Sequence, residues 1–488
     1  MERLHAPTVF FRIRRLRDGM RAWQELWRPL ADGPHRPRAG RATTAETPYT
    51  AYSYLEGGLM AVINAFAQDA VDRAEPLTVA AAHAQCRDAA LAESAVGAIG
   101  LEIESHLVDL DHVADPVPWR RVEAIAAMVG RVAPGTAVTV EPGGQIELSG
   151  PPEAGVAPAA ARLKYEGTAA RLALAQCRLG LAYAGADPAR PSLRVNPRLR
   201  YRAMEQHFAA TGRAPAGQVM MNSTAALQVN LQAGPRGEWP ARVARAYRLG
   251  PTLVAIAASS PWLHGRDTGW KSVRQRAWSG LDARTCGPVP GCAPKDGRDE
   301  SLDPASAWAR FAMRAPVTFV HAGDDVLAVG CSVPFSQWAS GAVKLGNRPP
   351  TAADLETHLS TLFPPVRLRG YLEVRYLDMS APRWWPAIAA VTATLMDDPA
   401  AADLATEATE PAAQLWTEAA RDGLANAALA TCARRCLAIA AGRVPAELRP
   451  AVADLADLVE SGRCPGDLLA ERVGEIGPLA ALGEMAYA

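Results

Sequence analysis

The sequence predicts an α+β fold, and three observations predict it. Between about residues 96 and 380, short segments of alternating character, separated by Pro/Gly turns, are interspersed with helical stretches. After about residue 383 the chain becomes Ala/Leu/Glu-rich, with apolar residues at helical spacing in 411–441 and 450–460. Neither an internal repeat nor a regular strand–helix alternation is present, which favours an antiparallel sheet with segregated helices over a parallel sheet.

Taken in chain order, residues 1–48 hold ten arginines, five acidic residues and several prolines without periodicity. They are expected to form a poorly ordered basic extension, either a translation-start artefact or an arm that contacts a partner. Residues 49–95 read as helical, with apolar spacing over 59–66, and open a main domain expected to span 49–382. Residues 383–488 form the expected helical C-terminal region. The apolar runs 251–263 and 384–396 fall short of the ~20 residues a membrane span needs, and read as core.

Charge and cysteine usage narrow the function classes. The 488 residues carry 51 basic and 51 acidic side chains, so no global field argues for nucleic acid or an acidic membrane surface. Arginine outnumbers lysine 47 to 4, so any anion site is expected to be built from bidentate guanidinium forks. Eight cysteines are dispersed without a CxxC pair, which leaves a zinc ribbon unsupported and reads as reduced, mostly buried thiols. The redox relation of Cys286 and Cys292 stays open. No secretory signal is evident, and a cytoplasmic location is expected. Small-molecule partners are expected, with no nucleic acid and no membrane; the oligomeric state is open.

Four segments carry the chemistry. In Gly100–His106 the side chains of Glu102, Glu104 and His106 share one strand face, with Leu101 and Ile103 on the other. In 139–149 a Pro142–Gly143–Gly144 turn joins two strands, placing Gln145, Glu147 and Ser149 on one face and Glu141 before the turn. In 227–232 Gln228, Asn230 and Gln232 alternate with aliphatics, and in 371–377 Glu373 and Arg375 share a face. A solvated sheet face explains any one of these segments. Together they are unusual, because the wet positions are repeatedly carboxylates and carboxamides with almost no counter-charge. Such acids repel one another unless cations neutralise them, and oxygen-only ligands suit Mg²⁺ with a nucleotide. Two arginine-bearing segments complement them. Residues 196–204 contain Arg198, Arg200 and Arg202, and 269–278 place Arg274 and Trp278 at i,i+4 on one side of a helical turn. Surface salt-bridge clusters are the alternative for both.

These motifs together resemble the glutamate–cysteine ligases of the plant and actinobacterial type. The resemblance rests on GLEIESHLVD (100–109), TVEPGGQIELSGPP (139–152), NPRLRYRAMEQHF (196–208), MMNSTAALQVNLQ (220–232), SSPWL (259–263), GWKSVRQRAW (269–278), HLSTLFPPVR (358–367) and RGYLEVRYLD (369–378). It covers about residues 95–465 and is strongest toward actinobacterial enzymes that supply γ-glutamylcysteine for ergothioneine. It implies a glutamine-synthetase-like domain whose antiparallel sheet forms a funnel, with glutamate, cysteine, ATP and Mg²⁺ as substrates and cofactors. Carried over by motif, Glu102, Glu104, Glu147 and Glu373 are expected to hold magnesium, with Glu141 contributing. Arg200 and Arg274 are expected to grip glutamate, with Trp278 shaping the pocket. Gln228, Asn230 and Arg375 are expected to face the phosphates, Arg375 and Glu373 acting at the transferred group. His106 is read either as a tuning or basic group or as a hydrogen-bonded structural histidine.

The resemblance further implies a γ-glutamyl phosphate that the cysteine amine attacks, with no protein nucleophile. It also implies that Glu102→Ala and Glu373→Ala leave folding largely intact while removing turnover. Two departures stand out: Ala258 occupies a position where relatives carry Asn, and the segment before residue 49 has no counterpart. The alternatives are a ligase using glutamate with a different amine, a guanidino-type phosphotransferase, and a non-catalytic nucleotide-binding relative.

Overall fold

The computed structural model of the chain describes residues 75–293 and 303–487. The expected basic extension 1–48 and the apolar segment 59–66 lie outside the described residues. Among the described residues there are eleven strands: β1 (Ile99–Asp109), β2 (Ala137–Val140), β3 (Ile146–Ser149), β4 (Leu179–Ala182), β5 (Ala226–Gln232), β6 (Trp262–Leu263), β7 (Arg266–Asp267), β8 (Phe319–Ala322), β9 (Asp325–Ala328), β10 (Val366–Leu368) and β11 (Tyr371–Asp378). One antiparallel sheet runs in the order β10–β11–β5–β1–β3–β2, with β4 pairing the second half of β1. The pairs β6–β7 and β8–β9 are separate hairpins. The α+β class read from the sequence is therefore the class observed.

Alternation along the strands divides the sheet into two faces. Leu101, Ile103, Leu227, Val229, Leu231, Leu372 and Val374 are all buried in the main core. Each such side chain contributes about 1.5–3 kcal/mol by leaving water. The helices Val156–Ala175, Trp239–Ala257 and Trp385–Asp397 pack against β1, β11 and β5 respectively. The last two contain most of the apolar runs 251–263 and 384–396, and both are almost wholly buried, as expected of core elements. The same core extends into the C-terminal helices Pro399–Thr409, Ala427–Ala441 and Arg449–Glu460, whose alanines allow close approach.

Two irregularities aim the polar face. The β2–β3 hairpin closes through Pro142–Gly143–Gly144, with Gly144 at φ +87° and its N–H donating to the Glu141 carbonyl at 3.0 Å. A Cβ on Gly143 would lie 2.1 Å from the Asn222 carbonyl oxygen, so only glycine fits where the turn passes that backbone. The second is a bulge in β11. Val374 pairs with Val229 but Leu377 pairs with Leu227, so one extra residue is accommodated around Arg375 and Tyr376. Bulges bend a strand and redirect its side chains.

Candidate active site

A cavity of about 300 Å³ opens over the polar face. Glu102 and Glu104 reach it from β1, Glu141 and Glu147 from the β2–β3 hairpin, and Glu373 and Arg375 from β11. Gln228 enters from β5. Arg200, from the helix Leu199–Ala210, and Arg274 with Trp278, from the helix Val273–Ser279, complete the wall. Every predicted site residue thus converges here except Asn230. That residue stands behind Glu102 and does not line the cavity: its Nδ2 donates to Glu102 Oε1 at 2.8 Å.

The strand register fixes the carboxylates. Glu104 and Glu147 are direct partners across β1 and β3, and Glu102 faces Ser149 on one side and Gln228 on the other. Neutral donors hold these acids. The Ala226 N–H and Gln228 Nε2 donate to Glu104 at 2.8 and 3.2 Å. Thr139 and Ser149 hydroxyls donate to Glu147 at 2.7 and 3.1 Å. Burial, then repulsion from Glu147 and Glu373, pushes the Glu102 carboxyl up to about 7. Burial, then Glu147, does the same for Glu104, with Arg274 opposing. Glu141 is driven well above the usual carboxylate range by burial, Glu147 and Glu104.

Glu373 differs, and here the expectation of almost no counter-charge fails. Arg367 on β10 grips Glu373 through Nε and Nη2, and Arg375 Nη1 donates to Glu373 at 2.9 Å. Burial would raise the Glu373 carboxyl, but Arg375 and Arg367 outweigh it and hold it at about 2. Arg375 Nη1 also donates to Gln228 Oε1 at 2.7 Å, which ties β11 to β5 across the bulge. The bulge leaves two carbonyls off the ladder, and the neighbouring helix takes both. Arg274 Nη2 donates to the Arg375 carbonyl at 2.7 Å, and Gln275 Nε2 to the Tyr376 carbonyl at 2.8 Å.

Several donors at the cavity are left over. Arg200 Nε, Arg274 Nη1 and Trp278 Nε1 are buried without a hydrogen-bond partner. Buried donors without partners are uncommon, and three on one wall suit an anionic ligand. Among the described residues no three carboxylate, imidazole or thiol groups form a ready-made metal cage. Mg²⁺ typically keeps waters and binds through one or two carboxylates plus substrate phosphates. The oxygen-only set Glu102, Glu104 and Glu147, with Glu102 and Glu104 raised partly by repulsion from Glu147, fits such an ion.

Other residues were not anticipated. Asn196 is fully buried and staples the arginine-bearing segment to the hairpin: its Nδ2 donates to the Val140 carbonyl at 3.0 Å, and its N–H to the Pro142 carbonyl at 2.9 Å. Tyr201, Arg367 and Arg369 also line the cavity, beside Arg198 of the expected arginine-bearing segment, whereas Arg202 of that segment pairs with Asp325. Asp378 ends β11 and is buried; in the sequence it continues the apolar alternation Leu372, Val374, Tyr376, and a carboxylate there was the signal that could have found it. His106 takes the structural reading. It is buried with Nε2 3.2 Å from the Ala184 carbonyl, and burial pushes it down to about 4 despite Asp187. Ala258 is buried in the main core and does not line the cavity. All eight cysteines are free, six of them buried; Cys286 and Cys292 sit in different cores.

Carboxylates facing guanidinium groups across an open cavity suit small polyanionic substrates. Comparison with known proteins makes the class specific. The profile of glutamate–cysteine ligase family 2 (GCS2) matches residues 98–484, and the chain belongs to that family. It is 48% identical over 396 residues to the glutamate–cysteine ligase EgtA of Mycolicibacterium smegmatis, covering 81% of this chain and 92% of that one. To the chloroplastic glutamate–cysteine ligase of Arabidopsis thaliana it is 27% identical over 321 residues, 65% of this chain and 59% of that one. A crystal structure of a Francisella tularensis glutamate–cysteine ligase in complex with AMP superposes with a TM-score of 0.48 at 12% identity, covering 81% of this chain and 88% of that one. No helix among the described residues is long and apolar enough to cross a membrane.

Proposed function

We infer that the protein is an ATP-dependent ligase that joins the γ-carboxylate of glutamate to the amino group of cysteine, supplying γ-glutamylcysteine for ergothioneine biosynthesis. One observation carries the reading: in a member of this ligase family, the carboxylates of Glu102, Glu104, Glu141 and Glu147 meet Arg200, Arg274 and Arg375 around one cavity.

A free carboxylate does not form an amide in water without activation. ATP therefore transfers its γ-phosphoryl group to a γ-carboxylate oxygen of glutamate, releasing ADP. The cysteine amine then attacks the acyl carbon, a proton leaves the nitrogen, and phosphate departs. Such chemistry depends on in-line positioning and charge neutralisation more than on a protein nucleophile. Arg200 and Arg274 offer unpartnered buried donors to the glutamate carboxylates, beside Trp278. Arg375 stays charged among Glu373, Glu104 and Glu102, and with Gln228 meets the transferred phosphoryl oxygens. Asn230 orients Glu102. Glu102, Glu104 and Glu147, with Glu141 and Glu373, would hold Mg²⁺, which when bound supplies positive charge to the phosphate oxygens.

The test is mass spectrometry of products after incubation with glutamate, cysteine and MgATP. The expected product is γ-glutamylcysteine with one phosphate released per amide. Amide formation only with another amine would move the acceptor assignment, and ATP binding without any amide would overturn the reading.

A further inference from the structure

Asp378 is buried, acidic, and belongs to none of the groups assigned above. Its carboxylate ties two other chain segments to the end of β11. Oδ2 accepts from the Ser259 N–H at 3.0 Å and from Ser260 Oγ at 2.6 Å, and Oδ1 accepts from Ser272 Oγ at 2.8 Å. Ser272 is the N-cap of the helix Val273–Ser279, and Ser260 Oγ accepts from the Arg274 N–H at 3.2 Å. The Asp378 Oδ1 oxygen lies 3.8 Å from Arg274 Nη1, too far for a hydrogen bond but close enough to balance its charge. Room for the carboxylate exists only because residue 185 is glycine: a Cβ there would come within 2.6 Å of Asp378 Cγ.

The position of Arg274 is thus set twice. Its Nη2 is spent on the Arg375 carbonyl, while Nη1 is held near Asp378 without being consumed by it. Arg274 is 2% exposed, and Glu104 is the other carboxylate whose field reaches it. With the Asp378 charge removed, Glu104 is the remaining carboxylate acting on the guanidinium, and the free donor is drawn to it instead of staying available to a substrate. We propose that Asp378 is a positioning residue for the ligase reaction: through Ser260 and Ser272 it orients the helix bearing Arg274, and by its charge it keeps Arg274 Nη1 available to a substrate carboxylate. The proposal rests on the reading of Arg274 as a glutamate-binding group.

The experiment is a double-mutant cycle on the full chain, with Asp378→Asn, Arg274→Ala and the double variant, measuring KM for glutamate, ATP and cysteine and glutamate binding by calorimetry. Asp378→Asn is expected to raise KM for glutamate about tenfold or more, with a smaller fall in kcat and with the ATP and cysteine constants nearly unmoved. In the Arg274→Ala background the same change is expected to have little further effect on glutamate. A folded Asp378→Asn with wild-type glutamate KM and affinity, or effects that multiply independently, would overturn the proposal. Should Asp378→Asn fail to fold, Ser272→Ala removes the hydrogen bond to Asp378 together with the cap on the Gln275 N–H and is expected to move glutamate KM in the same direction by a few-fold; an unchanged value there also overturns it. The wild-type protein run in parallel separates the two readings: if it forms no amide from glutamate the functional assignment fails, whereas amide formation with an unperturbed variant defeats only the role of Asp378.

Discussion

Glu104 and Glu147 sit directly opposite one another on β1 and β3, so two carboxylates occupy one cross-strand pair in a half-buried site. Like charges in such a pair destabilise a sheet. The arrangement makes physical sense where a cation comes to lie between them. Glu147→Gln is therefore expected to stabilise the divalent-free protein at pH 8 by about 0.5–1 kcal/mol. With Glu147 in its proposed role of holding Mg²⁺, turnover should fall at least about 100-fold. Thermal melts in chelator, read beside phosphate release, check both; a destabilised variant would mean that the pair is held by something other than repulsion balanced by metal.

A pH dependence follows from the same carboxylates. Glu102 and Glu104 bind protons up to about 7 in the folded chain, above the ordinary glutamate value of 4.5. The folded state then holds more protons than the unfolded state between those two values, so stability falls as pH rises through that window. Their contribution is complete below 4.5 and gone above about 7. For the metal-free protein the loss is on the order of 3 kcal/mol for each carboxylate at the full shift, less where solvent screens it. Its melting temperature should be several degrees lower at pH 8 than at pH 5, and added Mg²⁺ should close most of that gap. Glu373 acts with the opposite sign in another window: held at about 2, it contributes fully above 4.5 and is lost only as pH falls through 2. A metal-free melting temperature that climbs steadily from pH 5 to 8 would count against the raised carboxylates.

Glu102 and Glu373 look equivalent in the sequence, and both were expected to tolerate alanine without loss of fold. Their surroundings separate them. Glu102 is half-buried with Asn230 as its hydrogen-bond donor, whereas Glu373 is 1% exposed between Arg367 and Arg375. Removing Glu373 leaves two guanidinium groups facing each other without an anion, a defect that costs about 3–5 kcal/mol. Glu102→Ala should stay within about 1 kcal/mol of wild type while abolishing turnover. Urea midpoints for the two variants decide the matter, and equal midpoints would refute the distinction.

The contrast shows what the sequence could and could not convey. Alternation in 100–106, 227–232 and 371–377 revealed which residues share the polar face, because side-chain period in a strand is a local property. The Pro142–Gly143–Gly144 turn was legible for the same reason. Arg367 was not: β10 is three residues long and too short to display a period, so its bidentate grip on Glu373 appears only once β10 pairs with β11. The bulge at Arg375 and Tyr376 was equally hidden, since it arises from register against β5. Asp378 read as the last residue of a motif, and its role depends on Gly185 and on serines more than a hundred positions away.

The β2–β3 turn offers a test in which geometry and activity are coupled. Gly143 and Gly144 are adjacent, yet they are glycine for different reasons. At Gly143 a Cβ would press to 2.1 Å on the Asn222 carbonyl oxygen, a backbone atom that cannot swing aside. At Gly144 the nearest atoms to a Cβ are 3.5 Å away on Val195, and only the φ of +87° resists substitution. Gly144→Ala should therefore cost about 1 kcal/mol, the ordinary penalty for a side chain at positive φ. Gly143→Ala should cost about 2–3 kcal/mol, because the turn must move off Asn222. That displacement also carries Glu141 and Glu147, which flank the turn, away from Glu104. Gly143→Ala is accordingly expected to raise the Mg²⁺ concentration needed for half-maximal turnover about tenfold, with Gly144→Ala close to wild type. A Gly143→Ala protein that melts and turns over like Gly144→Ala would show that the hairpin's approach to Asn222 does not hold the carboxylates in place.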